Sequence, residues 1–485
     1  VQVALSDERW VPNDHSDKAM NLEMKIAHIH RIKDGKNIVL ATGTPVTNSM
    51  AEVFVMLRLA APKVLESYGI RNFDDFAHTF GKVETKTEFT WKGSWSAVSR
   101  FAEFINVNEL MTMVRLGFDV KMGNKELGIK VPEIVGGEAE IVAIKHTPVS
   151  QKIRDWTLDI ATEFESLDPS ERKENSWVPI VTMGAGMAGA LDPRLIDPKL
   201  PDHPNSKVNK AISNVMEIYN DPKQGVENKT QMIFADQFLP FNTERLEIFA
   251  GDMDKSGLEE FEDGTVAEDA ENDAENDEDA EAKAEAKAYK NATGFNLYKD
   301  IKAKLIAQGI PEHEIAIMHE YNTTLARTDL FDRVNAGDVR ILLGSTAKMG
   351  VGVNAHEKLY ALHHLDPPRQ MTPAMLEQRE GRIVRQGNTN ANVRILRYGV
   401  EKSMDTGIFQ LLERKATFIR DLLLGKLDLD KMKDEAAQLA RGMAAQVAAL
   451  TGDVRLLRRV EIEAELMTLD IEKQGFEEEQ YALRR

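Results

Sequence analysis

Arg382 and Arg385 stand three residues apart, so on a helix both guanidinium groups project from one face. Burying two such groups without anions costs more than packing returns, and an anionic ligand is therefore expected there. Taken alone, a basic pair is more often a solvated or salt-bridged face. Here it closes a series: Gly344-Ser345-Thr346, Lys348, Gly350, Gly352, Asn354, then Asp366 with two prolines, then Gln378. Two other stretches carry groups of chemical interest. Asp7 and Glu8 follow a short apolar run, and Thr42-Gly43-Thr44-Pro45 is followed by Asn48-Ser49 and Glu52.

The elements that must position these groups are legible from periodicity. Val339–Leu343 reads as a buried strand feeding a glycine-rich turn, and Leu359–Leu365 as a second strand ending at Asp366. Gln231–Ala235, Ile315–His319 and Val393–Tyr398 read as further strands, with helices expected over Ser206–Tyr219, Leu297–Gln308 and Thr324–Asn335. This alternation is what a parallel sheet requires. Nearer the start, a helix is expected over Ser16–Ile32 and a strand over Asn37–Ala41, leading into Thr42. Residues 81–100 read as a two-stranded excursion, followed by a helix over Phe101–Gly117, a strand over Glu138–Ile144 and a helix over Gln151–Glu165.

In their order and spacing, Gly-Ser-Thr, Gly-x-Gly-x-Asn, Asp-Pro and Gln-x-x-x-Arg-x-x-Arg resemble motifs V and VI of superfamily two helicases, in particular the Swi/Snf-like branch. Thr42-Gly43-Thr44-Pro45 resembles motif III of the same helicases, and Asp7-Glu8 resembles motif II. The resemblance implies an α/β fold of two RecA-like lobes with ATP and Mg as cofactors and DNA as partner. It implies that Asp7 and Glu8 handle magnesium and water, with Asp7 the metal ligand, and that Arg382 and Arg385 stabilise charge on the transferring phosphoryl group. Gly350, Gly352, Asn354 and Gln378 would line the nucleotide. Thr42, Gly43, Thr44, Ser345, Thr346 and Lys348 would contact nucleic acid, the last three through sequence-independent backbone hydrogen bonds. The chain departs from the family in Arg9-Trp10 after Asp-Glu, which leaves a plain surface turn as the other reading of Asp7 and Glu8. It departs again in Gly387-Asn388 for the usual Gly-Gln. Arg379 falls on another helical face and receives no role.

No Gly-x-x-x-x-Gly-Lys-[Ser/Thr] phosphate loop occurs in the sequence. The first lobe is therefore expected to be truncated at its N-terminus, in a chain cut from something longer. Look-alikes are the helicase-like proteins of phages and conjugative elements, which implies a methyltransferase or other domains in a longer parent, and an antirestriction context.

Composition bounds the rest. The 485 residues exceed a single core. With no cysteine, disulfides, thiolate zinc sites and a cysteine nucleophile are excluded. No apolar run approaches a membrane span, so the cytoplasm is the expected location. Of the net charge of −18, residues 252–288 carry −13, and the remainder is near neutral. The expected organisation is a partial first lobe over 1–165, an interdomain passage over 166–205, and a second lobe over 206–424 with an acidic disordered insert at 252–288. A helical tail over 425–485 completes it. The function these readings converge on is a DNA translocase or helicase motor fragment with nucleic-acid-stimulated ATP hydrolysis coupled to lobe closure. The alternative is a non-hydrolysing, helicase-like scaffold that binds DNA or partner proteins.

Overall fold

A computed structural model describes residues 17–33, 36–42, 50–89, 95–104, 106–119, 128–221, 229–250, 278–292, 294–350, 353–369, 371–403 and scattered positions from 405 to 416. They fall into two units, one within 1–126 and one within 127–412. Asp7, Glu8, Gly43, Thr44, Gly352 and the tail over 425–485 lie outside the described residues.

The first unit contains helices α1 (Asp17–Lys33), α2 (Met50–Ala60), α3 (Pro62–Ser67) and α4 (Phe73–Phe80), the strands β1 (Gly81–Phe89) and β2 (Trp95–Phe104), and α5 (Val107–Gly117). Its core gathers Phe54, Phe73, Phe76 and Phe80, with ring centroids 5.2–6.2 Å apart, against Leu57, Leu110 and Met113. The helix expected from Phe101 starts only at Val107. Residues 101–104 instead extend the hairpin ladder as far as Gly81 opposite Phe104, and Asn106 breaks the chain with a left-handed φ of 52°. The strand expected over 37–41 is absent among the described residues: 36–42 are irregular, with Val39 90% exposed. A strand needs a neighbour to satisfy its backbone, and no described strand lies beside it.

In the second unit the chain runs β3 (Glu133–Ile134), β4 (Glu140–Ile144), α6 (Pro148–Ser166), α7 (Pro169–Glu174), α8 (Val178–Leu191), α9 (Lys207–Asn220), β5 (Thr230–Phe234), α10 (Glu244–Ala250), α11 (Glu278–Asn291), α12 (Leu297–Ala307), β6 (Ile315–Ile317), α13 (Thr324–Ala336), β7 (Ile341–Gly344), α14 (Thr346–Met349), β8 (Leu359–His364), α15 (Pro373–Glu380) and β9 (Asn392–Val400). The strands form a parallel sheet ordered β3-β9-β8-β5-β7-β6, with β4 also on β9. Successive side chains alternate between two cores. Ile233, Ile317, Leu343 and Leu396 face one, and Met232, Phe234, Leu342 and Ile395 the other. Both faces are covered, which is why β5, β7 and β8 are buried at every position.

Three expectations change here. β4 joins this sheet through β9, so residues 128–166 fold with the second unit. The stretch 166–205, rich in glycine and proline, contains the buried helix α8 rather than a bare passage. Its glycines permit close packing: a Cβ on Gly189 would stand 2.5 Å from Cγ2 of Ile153 on α6, and one on Gly184 would meet the Phe241 ring at 2.6 Å. The third change falls in the acidic insert, whose last part is the ordered helix α11, with Glu285 and Tyr289 buried. Residues 251–277 lie outside the described residues.

Candidate functional site at the strand ends

In an open α/β sheet, ligands bind beyond the carboxyl ends of the strands, where neighbouring connections diverge. Here β5 leads through α12 to β6 on one side, whereas β8 leads through α15 to β9 on the other. The divergence lies between β5 and β8. Asp236 follows β5, Ser345 and Thr346 follow β7, and Asp366 follows β8, so four polar residues converge on that edge because each strand ends there.

Arg379 binds them together. It comes from α15, which starts at the Thr372 cap and Pro373, and its side chain is fully buried. Its Nη2 lies 2.9 Å from Asp236 Oδ1, its Nε donates to Thr346 Oγ1 at 2.7 Å, and its Nη1 donates to the Asp366 carbonyl at 2.7 Å. Asp236 also accepts the backbone N–H groups of Thr346 (2.6 Å) and Arg369 (2.8 Å). Asp366 Oδ2 accepts those of Asp236 (2.7 Å) and Gln237 (2.9 Å). Burial works against both carboxylates. The Arg379 charge and the donated hydrogen bonds hold Asp236 below the usual carboxylate range, whereas burial and the neighbouring Asp236 charge push Asp366 up. Sequence reasoning passed over Arg379 because its helical face differs from that of Arg382 and Arg385. The available signal was Asp366-Pro367 at a strand end, a buried acid in need of a cation.

Arg382 and Arg385 are not on a helix. α15 stops at Glu380, and both arginines lie in the turn beyond Gly381. They nevertheless converge, since each donates from Nη1 to the Val353 carbonyl at 3.3 Å, and Arg382 Nη2 donates to the Gly350 carbonyl. The two are half-buried, and among the described residues no carboxylate pairs with either. Burial and the Arg385 charge lower the Arg382 pKa, and its Nε is buried without a hydrogen-bond partner. Gln378, on α15, likewise has a buried, unpartnered Oε1. Asn354 is exposed, and its carbonyl accepts from Asn335 at 2.8 Å. Gly350 thus stands beside the arginines through its backbone, as does residue 353 next to Asn354. Asn388, where the motif departs from its usual glutamine, donates to the carbonyls of Leu359 (2.8 Å) and Ile383 (3.0 Å) and so anchors the arginine turn to β8.

The groups expected to meet nucleic acid are placed differently. Thr42 is exposed. Ser345, Thr346 and Lys348 are buried. Thr346 belongs to the Asp236–Arg379 network, and its hydroxyl is consumed there. Ser345 Oγ donates to Glu285 of α11, and Lys348 Nζ lies 3.5 Å from Asn322 Oδ1.

A family model described as a probable helicase domain matches residues 11–121. Over 116 residues, 24% of this chain, the sequence is 33% identical to the "Defense against restriction protein B" of Escherichia phage P1, and the matched stretch is 5% of that protein's length. Among solved structures, the C-terminal part of the Fun30 ATPase domain is similar over 61% of this chain and 97% of that chain, at 13% identity and a TM-score of 0.36. The Pyrococcus furiosus Hef helicase domain is similar over 62% and 64%, at 10% identity and a TM-score of 0.32. The resemblance to helicases is borne out by the helicase-domain match over residues 11–121, which include Thr42–Pro45 but not the motifs from Gly344 to Arg385, and the α/β class by the parallel sheet itself. No helix among the described residues is long and apolar enough to cross a membrane.

Proposed function

We propose that the chain is part of a nucleic-acid-dependent ATPase that moves along DNA in the cytoplasm, and that Arg382 and Arg385 are its phosphate-facing cations. The observation that carries this reading is the pair itself: two guanidinium groups on one backbone carbonyl in the turn between α15 and β9, with no carboxylate partner among the described residues. Such a pair fits a phosphate chain, since a planar guanidinium engages two phosphate oxygens at once. The unpartnered Arg382 Nε and Gln378 Oε1 are polar groups left for a ligand or its water. Bound ATP would supply the bond whose hydrolysis drives movement. Within this chain, Arg382 and Arg385 hold charge on the phosphates and Asn388 keeps their turn on β8. Asp7 and Glu8 remain the proposed groups for magnesium and water, and Ser345 and Lys348 remain proposed backbone contacts to DNA.

The test is ATP hydrolysis by this 485-residue chain and by the complete product of its reading frame, each with and without single- and double-stranded DNA. DNA-stimulated turnover in the complete product supports the motor. Its absence from both favours the non-hydrolysing scaffold.

A further inference from the structure

Helix α11 ends the most acidic part of the chain and carries the sequence EDAEAKAEAKAYKN. Only Glu285 and Tyr289 of its described side chains are buried. A carboxylate is an expensive group with which to dock a helix, because its burial needs donors that replace water. Those donors are Ser345, whose Oγ donates to Glu285 Oε2, and His319, whose Nε2 lies 3.2 Å from the same oxygen. Lys348, on the turn that Ser345 caps, adds an attractive charge. A hydroxyl and an imidazole on one anionic oxygen, with the Lys348 ammonium acting on it from beyond contact, form a set that a phosphodiester satisfies equally well.

We propose that α11 is an internal competitor of nucleic acid, its Glu285 carboxylate occupying the place that a DNA backbone phosphate takes on Ser345, His319 and Lys348. This deepens the reading above and rests on its assignment of DNA as the partner. The docking is weak by construction. Among its described side chains one carboxylate and one tyrosine are buried, the Tyr289 ring against Phe238 at 6.3 Å and His319 at 5.4 Å, with its hydroxyl donating to Glu320 at 2.9 Å. An element with so few buried apolar side chains belongs to the low-stability end of a fold and opens before the sheet does. DNA binding and α11 docking exclude one another, so the apparent affinity falls by the fraction of molecules in which α11 is undocked.

The experiment uses the 485-residue chain and a fluorescein-labelled oligonucleotide, single- and double-stranded, at one fixed salt concentration. Anisotropy titrations compare the wild type with Glu285→Gln, which removes the charge, and with Tyr289→Ala, which removes the other anchor. Both variants are expected to bind ~10-fold more tightly. Hydrogen exchange on the wild type needs no variant, and the amides of 278–291 are expected to lose protection when the oligonucleotide is added. Equal affinity in wild type and variants, or protection of 278–291 unchanged by bound DNA, would overturn the competitor while leaving DNA as the partner. No binding by any of the three proteins would overturn both.

Discussion

Arg379 and Asp236 form an ion pair of 2.9 Å in which neither side chain meets solvent to any extent that screens it. The pair joins α15 to the end of β5, and through Thr346 it also holds the turn after β7. A buried pair of this kind is a weak source of net stability when intact and a large loss when half of it is removed.

Arg379→Ala is therefore expected to lower unfolding free energy by ~3–5 kcal/mol, because Asp236 and Asp366 are left facing each other without their cation. Denaturant titration of the variant reads this directly. A loss under about 1 kcal/mol would mean that the network is not what ties these strand ends together.

Arg385→Ala should behave in the opposite way. Its guanidinium donates only to the Val353 carbonyl among its described contacts, so stability should change by no more than about 0.5 kcal/mol. DNA-stimulated ATP turnover in the complete reading-frame product should fall roughly a thousandfold. Unchanged turnover would remove Arg385 from the phosphate site.

Gly350→Ala tests the backbone on which Arg382 rests. A Cβ there would stand 2.4 Å from the Thr346 carbonyl oxygen, a backbone atom that cannot swing aside. The α14 turn must open, moving the Gly350 carbonyl that Arg382 grips. A loss of about 1–3 kcal/mol is expected, together with weaker nucleotide binding by the complete product. Wild-type values in both measurements would show that the turn tolerates the shift.

His363 sets a pH dependence. Its Nδ1 lies 2.8 Å from the Tyr398 hydroxyl and its Nε2 3.0 Å from Gln231 Oε1, an oxygen that can only accept, so a neutral ring protonated on Nε2 satisfies both contacts. Burial, with the Arg394 charge, brings its pKa down to about 3 from 6.5. The folded pKa is depressed, so this contribution is present above pH 6.5 and is lost as pH falls from 6.5 toward 3. Asp366, whose folded pKa is raised, acts with the opposite sign, its contribution being lost as pH rises. Comparison with His363→Gln isolates the histidine. The variant should show a shallower acid loss of stability, by about one proton, between pH 6.5 and 4. Parallel slopes would show that the ring does not titrate on unfolding.

The strands were legible because a parallel sheet covered on both faces demands continuous apolar runs, as in residues 232–235, 341–343 and 359–362. Helix α8 was not legible, because its glycines and alanines satisfy a packing requirement whose other half, Ile153 and Phe241, lies elsewhere in the chain. The order in 278–291 escaped composition for the same kind of reason. Alternating acids and alanines carry too little apolar surface to order a segment, and the groups that hold Glu285 come from the turns after β7 and β6.

By itself the sequence determined the residue types at the strand ends, the strand periodicity and the spacing of Arg382 and Arg385, since these are local properties of the chain. Tertiary structure alone decided that the three arginines of one motif divide their work. Arg379 turns inward, where Asp236 and Asp366 neutralise it, while Arg382 and Arg385 meet carbonyls that leave their charge unspent. Which cation is neutralised depends on where the carboxylates of other strands come to rest, and that is a property of the folded sheet rather than of the spacing along the chain.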